Sequence, residues 1–155
     1  MYGDAPGVDI VLVPRGWGTR KLTADRDVLE WLARWTTSSE FITSVCTGSA
    51  VLGAAGILNG YRATSNKRAF AWAQSFGENV TWVREARRVQ DSNRWTSSGV
   101  SAGLDMSLGL VQFLHGDVAN KVADEMEYDW HRDPAWDPFA AKNGLIAKAW
   151  RLCVR

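Results

Sequence analysis

The sequence predicts an α/β fold, a three-layer sandwich built on a mainly parallel sheet, and three observations carry that reading. Asp9-Ile10-Val11-Leu12-Val13 is a continuous apolar, β-branched run of the kind expected for a strand buried on both faces. Phe41-Ile42-Thr43-Ser44-Val45 is a second such run that meets Cys46 and changes at once into the small, helix-compatible Thr47-Gly48-Ser49-Ala50. Beyond these runs lie segments with helical periodicity. Strands alternating with helices argue for a parallel sheet whose sites gather at the carboxyl ends of its strands. A length of 155 residues suits one domain, 1–155, with one core.

In chain order, the first strand ends in Pro14-Arg15-Gly16-Trp17-Gly18-Thr19-Arg20, a loop whose glycines allow close backbone approach to whatever lies above the sheet. Thr23 reads as the N-cap of the next helix, with Asp25 and Asp27 in its first turn. Val28, Trp31, Leu32 and Trp35 recur at i, i+3, i+4 and i+7 and place two tryptophans on the buried stripe. The helix after Cys46 is expected to run through Leu58 and end at Asn59-Gly60. Residues 61–64 read as a short strand, 66–75 as a helix closed by Gly77, and 80–83 as another strand. Arg88-Val89-Gln90 and Arg94-Trp95-Thr96, joined through Asp91-Ser92-Asn93, have the pattern of a hairpin. Ser97, Ser98 and Asp105 read as turn and helix-start residues of a helix over 101–114, which is apolar around much of its circumference and expected to be central. Val118, Val122, Met126 and Trp130 mark a further amphipathic helix whose charged face is solvated. Residues 131–139, with two prolines, read as an extended, anchored loop before a last short helix.

Composition excludes several classes of function. Eighteen basic and 17 acidic residues are mixed along the chain for a net charge of +1, which leaves no electrostatic footprint for nucleic acid or a membrane surface. With no apolar stretch long enough to span a bilayer and no leader-like segment, the expectation is a soluble, cytoplasmic protein. Cys46 and Cys153 are then expected as reduced thiols rather than a disulfide. Two cysteines and two histidines offer no metal-ligand spacing, so neither a metal nor a cofactor is expected. His115 and His131 read as surface or capping residues, and most of the nine tryptophans as core or cleft wall.

Chemistry concentrates at Cys46. A strand, a sharp turn and a helix hold its side chain above the sheet, where the first free N–H groups of the helix favour negative charge. Cys46 is the candidate nucleophile, and the Gly16-Trp17-Gly18 loop is expected at the same end of the sheet.

The run Ser44-Val45-Cys46-Thr47-Gly48-Ser49, followed by Leu52-Gly53-Ala54-Ala55-Gly56-Ile57-Leu58-Asn59-Gly60 and Arg62-Ala63-Thr64, resembles the DJ-1/PfpI superfamily. So does Trp95-Thr96-Ser97-Ser98-Gly99-Val100-Ser101-Ala102-Gly103-Leu104-Asp105, and the likeness covers nearly the whole chain. It implies a flavodoxin-like fold, that of class I glutamine amidotransferases. Thr47, where protease-like and chaperone-like members often have histidine, is similar to the isocyanide hydratase branch and to related domains of transcription regulators. The regulators carry a helix-turn-helix region that 155 residues do not accommodate. By this resemblance Cys46 would attack the terminal carbon of an isocyanide, and water would resolve the thioimidate to an N-substituted formamide. The Thr47 N–H and one from the Gly16-Trp17 loop would stabilise developing negative charge, the Thr47 hydroxyl would orient the adduct, and Trp17 would wall the cleft. Gly16, Trp17 and Gly48 would belong to this oxyanion and substrate pocket.

The resemblance also implies what this chain replaces or lacks. Arg15 stands where the family's loop usually has a second glycine. Family members begin with a strand and helix that supply an acidic partner for the cysteine, whereas here Asp4 and Asp9 precede the first recognisable strand and neither is expected beside Cys46. The fold is therefore expected to be N-terminally incomplete and to pair, as a homodimer or with a complementing chain. The expected partner in chemistry is a small electrophilic molecule. The alternative functions are a glyoxalase or deglycase, and a non-catalytic or redox-sensing member of the family.

Overall fold

The computed structural model describes residues 5–147. In chain order the elements are β1 (Ile10–Val13), α1 (Thr19–Leu22), α2 (Arg26–Trp35), β2 (Phe41–Val45), α3 (Gly48–Ala54), β3 (Arg62–Ala63), α4 (Phe70–Ala73), β4 (Thr81–Trp82), β5 (Arg88–Asp91), β6 (Arg94–Ser97), α5 (Val100–His115), α6 (Val118–Glu125) and α7 (Pro138–Lys142). Asp4 and Cys153 lie outside the described residues.

The main sheet has the order β1-β2-β6-β5. Its first two pairings are parallel, and the expected hairpin adds β5 antiparallel to β6 through Ser92-Asn93. Strands β3 and β4 form a separate parallel pair. The pair attaches to the main sheet through side chains, the Thr64 N–H donating to Thr96 Oγ1 at 2.8 Å and the Arg62 N–H to Asp91 Oδ2 at 2.7 Å.

Period-two alternation sends Val11, Val13 and Ile42 to one face, where they pack with Leu32 of α2 and Val51 and Leu52 of α3. The other face presents Phe41, Val45 and Trp95 to Met106 and Leu110 of α5. Behind α5, Leu108 packs with Ala119 and Ala123 of α6 and with Trp130. The result is the flavodoxin-like three-layer arrangement.

Several expectations need correction. Strand β1 is buried on one face only: it is at the sheet edge, and Ile10 and Leu12 are 46% and 49% exposed. Thr23 does not cap α2; it follows α1, and the Asp25 carboxylate accepts from the Val28 N–H at 3.2 Å instead. Trp31 and Trp35 are half-buried and stack on each other, with centroids 4.9 Å apart. Helix α3 stops at Ala54 because Gly56 turns the chain at a φ of 74°. Helix α6 ends at Glu125, so Met126 is exposed, and the small pair Ala119 and Ala123 forms its buried stripe.

Candidate active site

Loops following β1, β2 and β3 meet at the carboxyl ends of the parallel strands. Cys46, between β2 and α3, has a φ of 60°. For a residue with a Cβ this region costs on the order of 1–3 kcal/mol and persists only where neighbours enforce it. Here they do. The Cys46 N–H donates to the Ser97 carbonyl at 3.1 Å. Its own carbonyl accepts from the hydroxyls of Ser49 and Ser65, each at 3.0 Å.

Gly48 has a different task from the one expected. A Cβ there would come within 2.2 Å of the Val13 carbonyl oxygen, so the residue lets α3 press against the end of β1. It is buried at that contact rather than lining the cavity.

The cavity itself, about 390 Å³, is lined by Cys46, Thr47, Gly16 and Trp17. Cys46 is only 4% exposed, while Trp17 at 84% flanks the mouth. The Gly16 N–H donates to Thr47 Oγ1 at 3.4 Å, tying the β1 loop to the elbow. That bond occupies the Gly16 amide, whereas the amides of Thr47 and Trp17 make no hydrogen bond among the described residues. Neither a histidine nor a carboxylate lines the cavity among the described residues. Nor does any group of three or more His, Cys, Asp or Glu among them suit a metal ion.

Strand–turn–helix geometry with a strained cysteine agrees with the family comparison, in which the model for the DJ-1/PfpI family matches residues 4–112. The chain belongs to the DJ-1/PfpI family. It is 38% identical over 128 residues to an isonitrile hydratase of Pseudomonas putida, across 82% of this chain and 55% of that protein. It is 32% identical over 123 residues to the HTH-type transcriptional regulator GbdR of Pseudomonas aeruginosa, across 79% of this chain and 33% of the regulator. A solved THiJ/PfpI family protein from Pseudomonas syringae superposes with a TM-score of 0.73 at 39% identity, covering 83% of this chain and 53% of that one. Thus the chain spans about half the length of the hydratase and a third of the regulator.

Other residues of this DJ-1/PfpI site were not singled out from sequence. Ser65, Asn66 and Arg68 follow β3, and the polar run Ser65-Asn66-Lys67-Arg68 at a strand's carboxyl end is the signal that could have exposed them. Asn66 and Arg68 line both the Cys46 cavity and a neighbouring one of about 640 Å³. Lys67, also lining the second cavity, is 4% exposed; its ammonium donates to Thr64 Oγ1 at 2.8 Å and to the Ala86 carbonyl. Burial lowers the Lys67 pKa to about 8, against the opposing pull of Asp137 and Glu85. Asp137 is itself buried and accepts from the Ser98 hydroxyl and the Phe139 N–H.

Proposed function

We propose that Cys46 is the nucleophile of an isonitrile hydratase-like reaction in which a small isocyanide is converted to an N-substituted formamide. The observation that carries this reading is the enforced positive-φ elbow opening onto a cavity, in a chain 38% identical to an isonitrile hydratase. Cys46 Sγ bonds to the terminal carbon while the thiol's proton is transferred to that carbon, giving a thioimidate. Water adds to the same carbon, a proton reaches nitrogen, and the C–S bond breaks to release the formamide and restore the thiol. The free Thr47 and Trp17 amides are the donors available to the charge that develops. The test is formamide production from an alkyl isocyanide, which Cys46→Ser should abolish.

A second reading draws support from the cavity's lack of a carboxylate or histidine among the described residues, and from the likeness to a transcriptional regulator. Cys46 would then be a reactive thiol without turnover. Selective oxidation of Cys46 to sulfinic acid by peroxide, with no isocyanide consumed, would favour it. A glyoxalase-type reaction that moves protons through histidine is less well supported, since none lines the cavity among the described residues.

The apolar Ile10 and Leu12 on edge strand β1 support extending the reading to a homodimer, in which a second copy covers that face.

A further inference from the structure

The Cys46 cavity is cationic, a property that the hydratase reading does not use. Arg15 and Arg20 from the β1 side and Arg68 from the β3 side all line it. Among the described residues none of the three forms an ion pair, whereas Arg26 and Arg34 meet Glu30, and Arg87 meets Asp105. The Arg20 guanidinium lies 4.4 Å from the centre of the Trp72 ring, a contact that leaves its charge unneutralised. Three arginines therefore meet at a cavity of about 390 Å³ in a chain whose overall net charge is +1.

From this convergence we infer that the electrophile accepted at Cys46 carries a carboxylate. Guanidinium groups match carboxylate oxygens in plane and can bind them bidentately. A cleft lined by one sign of charge also raises the local concentration and the encounter rate of the oppositely charged substrate, by tenfold to a thousandfold. Within the hydratase reading on which this inference rests, the substrate class is an isocyano acid rather than a neutral isocyanide.

The charge preference can be read separately from turnover by alkylating Cys46 with iodoacetate and with iodoacetamide. The two reagents are nearly equal in size and differ in charge. In both reactions an S–C bond forms, a C–I bond breaks and iodide leaves, so the thiolate fraction cancels from their rate ratio. Rates at Cys46 are followed by peptide mass mapping in a Cys153→Ser background, with N-acetylcysteine as the reference thiol. The iodoacetate-to-iodoacetamide ratio is expected to exceed the reference by about tenfold or more at low salt. It should collapse towards the reference in about 1 M salt, where charges are screened within ~3 Å. Arg68→Gln and Arg15→Gln should each lower it several-fold. A ratio equal to the reference at low salt in the Arg-intact chain overturns the charge inference and leaves the nucleophile reading standing. A Cys46 inert to both reagents overturns the nucleophile reading, and the inference with it.

Discussion

Cys46 holds a backbone conformation that L residues avoid, and the three hydrogen bonds on its N–H and carbonyl come from three separate segments, at Ser49, Ser65 and Ser97. The elbow is thus fixed by tertiary structure, which is what a side chain needs if it is to meet a substrate in one orientation. Lys67 shows the same dependence in its chemistry. Burial disfavours its charged form, so between pH 8 and the ordinary lysine value of 10.5 the unfolded chain binds more protons than the folded one. Stability should therefore rise with pH through that window, and the penalty of roughly 3 kcal/mol is fully present below it. Urea unfolding midpoints at pH 7.5 and about 9.5, compared with those of Lys67→Met, isolate the effect. The wild-type midpoint should gain on the variant's as pH rises, and parallel behaviour would contradict the assignment.

At the scale of elements, α5 is bound to its surroundings by one buried acid. The Asp105 carboxylate, fully buried, accepts from Arg87 Nε at 2.6 Å, the Tyr128 hydroxyl at 3.1 Å and the His131 N–H at 2.9 Å. Burial, with the nearby Asp105, raises the Tyr128 pKa, which keeps that hydroxyl a donor. Removing one partner of a buried ion pair leaves the other uncompensated, at a cost of about 3–5 kcal/mol. Asp105→Asn should lower unfolding stability by about that amount in a urea titration, and a change within ~0.5 kcal/mol would show that the pair is not structural.

Such contacts explain how far the sequence could be read. Local patterns sufficed for β2, the elbow and the hairpin, since β-branching, small helix-starting residues and a two-residue turn act within a few positions. Cys46 was singled out at the elbow and the Gly16-Trp17 loop at the end of the first strand from such patterns, whereas Thr47 entered through the family resemblance; the fold brings all four to one cavity. The Asp105 hub was not, because its partners are 18 to 26 residues away and nothing near Asp105 distinguishes it from a helix-start residue. Arg20, in the expected loop, and Arg68, in the expected helix over 66–75, had no role assigned until the fold brought them to one cavity. The exposed face of β1 was hidden too, since composition cannot say whether a strand lies inside a sheet or at its edge.

For the whole molecule, two halves of the sandwich are packed and one edge is bare. Ile10 and Leu12 alternate outward on β1, and Leu104 and Phe113 of α5 add exposed apolar surface on the other side of the sheet from α2 and α3. Light scattering coupled to size-exclusion chromatography should return the mass of a dimer at micromolar concentration. A compact, stable monomer would contradict pairing with a second copy.

Whether a substrate carbon passes through Cys46 can be followed by single-turnover NMR with an isocyanide labelled with ¹³C at its terminal carbon. A transient sulfur-bound imidate carbon followed by a formyl carbon is expected, both absent in Cys46→Ser. A formyl signal that grows undiminished in Cys46→Ser, or unaltered isocyanide with the wild-type chain, would contradict it.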